Sequence, residues 1–315
     1  MNGICAFWSR HARAAVAALA VASVLLPRAA SAAACCLSAT AFGVGRLRIW
    51  EDYAIGVQLG TARSLGQWDQ AGKLRRNASG YSDGLSRFEP WAIVRLHERV
   101  QVQAWIPVLL NDRAGGGETQ LAGGLGDVGA AARFEIVSLG EYAGLPAFAV
   151  TLGAVAPTGR RPEQTSPPLL AGTTGRGAWA GSLALETEYA WLPWFVRLDA
   201  GITASLPFRR SDTGASQQYG PLLQAALSAG NEIVPEKLVV AVAVSGEWER
   251  ALSLDGAEVP RSNAYSYSLA GSLSWLVDPH WTLVANVTND VWPDGAGMNR
   301  DARIGFTMGV RYGHF

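Results

Sequence analysis

The chain has 315 residues, with 26 basic and 26 acidic side chains and a formal net charge of zero. That balance excludes the basic footprint of a nucleic-acid binder. Mean hydropathy is slightly positive, yet only the N-terminus holds a long apolar run, so the apolar residues are not gathered into membrane helices.

Arg10 and Arg13 precede the apolar run Ala14–Leu26, and Ala30-Ser31-Ala32 follows as a small-residue cleavage motif. Residues 1–32 therefore read as a signal peptide. The apolar run is too short for the ~20 residues of a spanning helix. Residues 33–51 follow as an N-terminal periplasmic segment carrying Cys35 and Cys36. Vicinal cysteines make a strained disulfide. Lipid attachment at Cys35 would want a bulky residue at position 32, where the chain has Ala32. The pair reads as free or mutually oxidised thiols.

From residue 52 onward the hydrophobic period is two. It predicts twelve strands, near 52–62, 86–97, 99–111, 125–138, 145–156, 177–190, 193–207, 219–231, 237–250, 263–277, 280–291 and 302–314. Their apolar rows are regular: Val100, Val102, Ala104, Ile106; Val128, Ala130, Ala132, Phe134; Val240, Val242, Val244; Ile304, Phe306, Met308, Val310. In Asn263–Asp278 one row is Tyr265, Tyr267, Leu269, Leu273 and Trp275, while the other is almost all serine.

The connections alternate, long ones near 63–85, 112–124, 157–176, 208–218, 251–262 and 292–301 facing short ones on the opposite side. Short periplasmic turns opposite long external loops are the pattern of a transmembrane barrel. Aromatics near strand ends, such as Trp179 and Tyr189 or Tyr265 and Trp275, suit interfacial girdles. Lipid demands a closed ring, because an open edge would leave unpaired backbone groups in hydrocarbon. The expected fold is all-β: a closed antiparallel transmembrane β-barrel of about 12 strands, with 10–14 compatible, in meander order over 52–315. Its place is the bacterial outer membrane, and its first partners are membrane lipid and the barrel-assembly machinery. The charges of the polar rows are candidate lumen-lining residues: Arg95, Arg133, Glu135, Glu186, Glu188, Arg197, Asp199, Glu247 and Glu249.

Three stretches resemble one known family. "GGLGDVGAAARFEI" (Gly123–Ile136), "LGAVAPTGRRPE" (Leu152–Glu163) and "AGTTGRGAWAGSLALETEY" (Ala171–Tyr189) are similar to the family called putative MetA-pathway of phenol degradation. The resemblance extends over roughly residues 90–315. It implies a bacterial outer-membrane barrel acting as a transporter, with aromatic compounds as the suggested solutes. In physical terms, Pro157 ends a strand at the rim, Gly159 suits a turn with positive φ, Gly124 and Gly126 bend the chain, and Asp127 begins a lumen-facing row. The final "GVRYGHF" resembles the assembly signal of such barrels, except that Phe315 has the wrong parity. A bulge near Gly313 would restore it.

No cluster of Cys and His has metal-ligand spacing, and no cofactor is expected. His97, His280 and His314 fall in periplasmic turns or at the terminus, out of reach of the Ser–His chemistry of outer-membrane lipases and deacylases. The expectation is a non-enzyme. Its function reads as a channel or transporter for small molecules, hydrophobic or aromatic ones included, or alternatively as a plugged barrel with a structural or loop-mediated interaction role.

Overall fold

The computed structural model describes residues 45–290 and 294–315. The signal peptide, the Cys35–Cys36 pair and residues 33–44 lie outside them, as does the end of the strand expected over 280–291. Twelve strands form the wall: β1 (Tyr53–Trp68), β2 (Ser82–His97), β3 (Val100–Trp105 and Val108–Gly115), β4 (Glu118–Leu125 and Val128–Val137), β5 (Ala147–Ala156), β6 (Ala180–Trp191), β7 (Trp194–Ser205), β8 (Leu222–Val234), β9 (Leu238–Glu249), β10 (Ala264–Leu276), β11 (Trp281–Asn289) and β12 (Arg300–His314). Each pairs antiparallel with its sequence neighbours. β1 closes the ring against β12, from Tyr53 opposite His314 to Trp68 opposite Arg300. All twelve expected strands are present, in meander order.

Side-chain alternation fixes the facing. On β1 the even residues from Ala54 to Trp68 point inward, while Ile55 and Leu59 on the odd row are exposed. The outward row recurs as Leu152 on β5, Leu185 on β6, Val242 on β9 and Met308 on β12, each more than half exposed. An apolar belt of that extent would aggregate in water, and it is the lipid-facing band of an outer-membrane barrel. At the periplasmic end Tyr53 stacks on His314 at 4.8 Å and Trp281 meets Tyr312 edge-on at 5.1 Å, part of an aromatic girdle.

Three local expectations are corrected. The connection near 112–124 is not a long loop. β3 and β4 run on as a hairpin closed by Gly116 and Gly117, with φ of 62° and 85°. Two glycines at positive φ make the tightest reversal a hairpin allows, so the strands simply rise above the membrane. Gly159 is not at positive φ. It lies where a Cβ would meet Thr174 and Gly175 within 2.8 Å, so close backbone packing demands it. Finally, no bulge occurs at Gly313, which pairs in register with Ala54. Phe315 instead leaves the strand and stacks on His280 at 4.6 Å.

The wall has one paired interruption. Pro107 breaks β3 because it lacks an N–H, and its carbonyl accepts from Gly126 N at 2.7 Å, where β4 breaks. Above this point β4 pairs only with β3, and the chain after β5 covers its far edge, Arg160 donating to Gly123 O and Thr174 Oγ1 to Leu125 O.

Candidate functional site: the lumen and its two ends

The inward faces of β4 to β7 carry a charge network. In β6 and β7, Glu186 lies opposite Asp199 and Glu188 opposite Arg197. On the neighbouring β5 the inward positions are Ala147, Ala149 and Thr151. These small side chains leave room for Arg133 of β4 to reach across. Its Nε donates to Glu186 Oε2 at 2.9 Å, and it also pairs with Glu135. Glu186 accepts in addition from Arg197 at 3.2 Å and from Thr151 Oγ1 at 2.7 Å. Arg197 Nε donates to Asp199 at 2.9 Å. All except half-buried Glu135 are buried. Such charges are tolerable away from bulk water only because each has an opposite partner and hydrogen bonds.

Residues 45–51 enter this space from the periplasmic end. Arg46 Nη2 donates to Glu188 Oε1 at 2.8 Å, and Leu47 N to Gln101 Oε1 at 2.9 Å. Leu47 packs with Ala54, Trp91 and Ile93, and Trp105 leans on the cluster. Arg48 donates to Thr282 Oγ1 of β11 at 2.8 Å and to Pro279 O at 3.2 Å. Glu51 takes Arg311 of β12, whose Nη1 donates at 2.6 Å. Arg95 of β2 holds the turn from below, through Nε to Glu51 O at 2.8 Å and Nη2 to Arg48 O at 2.5 Å. One short segment thus ties the wall at β6 to the wall at β11 and β12. A cavity of about 410 Å³ lies at its periplasmic side, between Arg46, Leu47, Arg95, Glu135 and Glu141.

The outer end is held differently. The chain between β5 and β6 folds inward. Asn111 Nδ2 donates to Ala171 O and Thr173 O, both at 2.8 Å, and Arg113 Nη1 to Leu169 O at 3.0 Å. Asp127 accepts from Gly159 N at 2.9 Å and Arg176 N at 2.7 Å. It continues the inward parity of Gly129, Ala131 and Arg133 and anchors this loop. Arg176 lies over the Tyr219 ring at 4.1 Å and Arg161 over Phe208 at 4.8 Å. Burial raises the Tyr219 hydroxyl above its ordinary pKa.

Between the ends, the wall from β8 through β12 to β1 carries small inward residues: Ser228, Ala243, Ser245, Ala270, Ser272, Thr307, Gly309 and Gly60. Ser245 and Ser268 share a hydrogen bond at 2.6 Å. The lumen is therefore densely charged around Glu186, while across from it small inward residues are interleaved with Gln58, Gln224, Glu247 and Asn286.

Of the nine sequence-selected residues, Arg133, Glu135, Glu186, Glu188, Arg197 and Asp199 come together in the one network. Arg95 instead grips residues 48–51. Glu247 bonds Gln224 Nε2 at 2.8 Å, and Glu249 joins Arg176 and Arg300 at the outer end. Sequence reasoning missed Arg46, Arg48 and Glu51, which flank Leu47 in "RLRIWE". Their signal was available: charges interleaved with apolar residues just ahead of a strand. Among the described residues no group of His, Cys, Asp or Glu has metal-holding geometry. His280 is engaged through Nδ1 with Gly313 O at 2.9 Å.

Comparison with known proteins agrees with the architecture. A solved structure described as the COG4313 outer membrane channel from Pseudomonas putida F1 superposes with a TM-score of 0.68 at 13% identity, covering 84% of this chain and 96% of its own. The β-domain of the Bordetella autotransporter BrkA gives 0.49 at 13% identity, covering 84% and 99%. The NanC porin gives 0.48 at 8%, covering 82% and 98%. No curated protein matches by sequence. The family model described as "Putative MetA-pathway of phenol degradation" matches residues 78–297, more than half of the chain, and the chain belongs to that family.

Proposed function

We propose that this protein is an outer-membrane channel for small solutes whose bore is crossed at the periplasmic end by its own residues 45–51. One observation carries the reading. At mid-height from β8 to β1 most inward residues are serine, threonine, alanine and glycine, with Gln58, Gln224 and Asn286 among them, so this side of the wall leaves space in the bore. A twelve-stranded ring is wider than the eight-stranded size at which side chains just fill the bore. The crossing segment is held by side-chain contacts, not by strand pairing, so it is the separable part.

Family membership supports a solute of phenol-like, aromatic chemistry. The arginine–aromatic pairs at the outer end, half-buried except for exposed Arg176, set flat apolar faces beside cations. The nine charges selected from the sequence act in this reading as the lining and the clamp of the bore. Residues 1–32 serve for export and are removed, and the barrel machinery inserts the chain.

The experiment is conductance in a planar bilayer, comparing the refolded chain from residue 33 with its Arg46→Ala/Glu51→Ala variant. Long quiet intervals in the parent and frequent, larger steps in the variant are expected. Equal, absent conductance in both, with heat-modifiable folded protein, would refute the channel. The second reading, a sealed barrel that presents loops, would then stand. Its specific support is the fastening of residues 169–173 by Asn111 and Arg113.

A further inference from the structure

The outward row of β1 reads Tyr53, Ile55, Val57, Leu59, Thr61, Arg63, Leu65. Arg63 is exposed between apolar neighbours on the face that meets lipid. Its height follows from strand geometry. At about 3.3 Å per residue and a tilt of about 40°, ten residues above Tyr53 correspond to roughly 25 Å, the height of the apolar band. Arg63 therefore sits at the outer edge of the hydrocarbon, where phosphate groups of the outer leaflet lie.

Nothing among the described residues satisfies it. Its cross-strand neighbours are Gly84 on β2 and Ile304 on β12. Among the described residues its guanidinium has no hydrogen-bond or ion-pair partner. Asp112 stands across Gly84, exposed, and makes no ion pair with it. The outward rows of β5, β6, β7 and β12 approach the same edge with Ala154, Leu183, Ile202 and Ile304, so the cation is peculiar to this side of the ring.

More positive charge lies just above. A short strand, Leu74–Arg76, extends the same edge, with Arg75 opposite Gln67 and Arg76 opposite Gly66. Lys73, Arg75 and Arg76 are all exposed. The acid beside them, Asp69, meets Arg75 at 3.0 Å but spends its other oxygen on the N–H groups of Ala71 and Lys73.

We propose that this edge of the barrel binds the phosphate groups of a phosphorylated glycolipid of the outer leaflet, with Arg63 at the headgroup level and Arg75, on the same outward row, above it. A guanidinium forks onto phosphate bidentately. A cluster of cations beside a membrane span is the ordinary device for holding an anionic lipid.

The test uses the full mature chain refolded in detergent, with diphosphorylated lipid A as the probe and native mass spectrometry as the readout. The parent should retain one lipid A through desolvation. Arg63→Ala/Arg75→Ala should weaken retention about tenfold or more, as expected for lost charge-assisted bonds. Arg63→Lys should be intermediate. Arg250→Ala, after β9, should bind like the parent. Heat-modifiable migration verifies that each variant is folded. Equal retention by parent and double variant, or equal retention of fully dephosphorylated lipid A, overturns the proposal. Displacement by millimolar inorganic phosphate alone overturns the lipid as source, leaving a soluble-phosphate site.

Discussion

Glu51 and Arg311 form a buried ion pair that joins the segment ahead of β1 to the last strand of the barrel. Removing one partner of such a pair typically costs about 3–5 kcal/mol, because the other charge stays buried. Here the chain has an alternative to paying that energy: residues 45–51 can leave the bore and let water reach Arg311. Glu51→Ala is therefore expected to keep the barrel folded while exposing the peptide bonds after Arg46 and Arg48. Trypsin should cut there quickly in the variant and slowly in the parent. Equal cutting rates would show that the pair does not hold the segment.

Glu186 and Glu188 should behave unlike each other. Glu186 serves Arg133, Arg197 and Thr151 within the wall. Glu186→Gln leaves two buried guanidinium groups under-compensated and should lower the urea midpoint of the refolded barrel. Glu188 is the carboxylate that receives Arg46 from the crossing segment, at 2.8 Å. Glu188→Gln should scarcely move the midpoint and should increase channel openings. The reverse pattern would mean that the network, not the segment, sets closure.

Facing can be tested by charge insertion. Val242 and Leu269 point outward from adjacent strands, opposite Gly271 and Val244 respectively. Arginine at either should cost about 2–4 kcal/mol in lipid. Ser272→Arg, on the inward row of β10 beside Ala241, should cost much less, since it meets water and small neighbours. Equal costs by equilibrium urea titration would place the belt on the wrong face.

What the residues announced and what they hid divides along physical lines. Period-two alternation made every wall strand legible, because lipid and lumen impose opposite demands on successive side chains. Val100 to Ile106 and Tyr265 to Trp275 are outward as their pattern requires. The charges at inward parity were legible for the same reason, though their partners were not: that Arg133 reaches diagonally to Glu186 depends on the small side chains of Thr151, opposite Arg133, and Ala149, opposite Glu186. Residues 46–51 showed only charges interleaved with apolar residues, and that pattern does not say that the segment enters the lumen, because its place is fixed by scattered side-chain contacts. Gly116 and Gly117 misled because glycine also fills loops, and only their positive φ reveals the hairpin.

Asp127 holds the loop between β5 and β6 through two backbone N–H groups, Gly159 N and Arg176 N. Asp127→Ala removes both acceptors at once, each worth about 1.5–3 kcal/mol for a charged acceptor. The wall strands keep their ladder, so the barrel should remain heat-modifiable. The loop should become sensitive to external trypsin at Arg160 and Arg176, and residues 169–173 should exchange amide hydrogens faster. Unchanged protection would assign the anchoring to Asn111 and Arg113 instead.

Asp290 follows β11 in the outer connection, beyond the strand. Burial, reinforced by the nearby charge of Glu247, raises its pKa from 3.8 to about 6. A carboxyl raised in the fold is favoured there in its neutral form. Its contribution to stability is therefore fully present below pH 3.8 and declines as pH climbs through about 6. The same titration adds one negative charge at the outer end of the bore. In a salt gradient the reversal potential should shift toward cation preference between pH 5 and pH 7, and Asp290→Asn should abolish that shift. Glu247→Gln should move its midpoint to lower pH, because one of the two influences raising the Asp290 pKa is gone. A shift that persists in Asp290→Asn would place the titrating group elsewhere in the lumen.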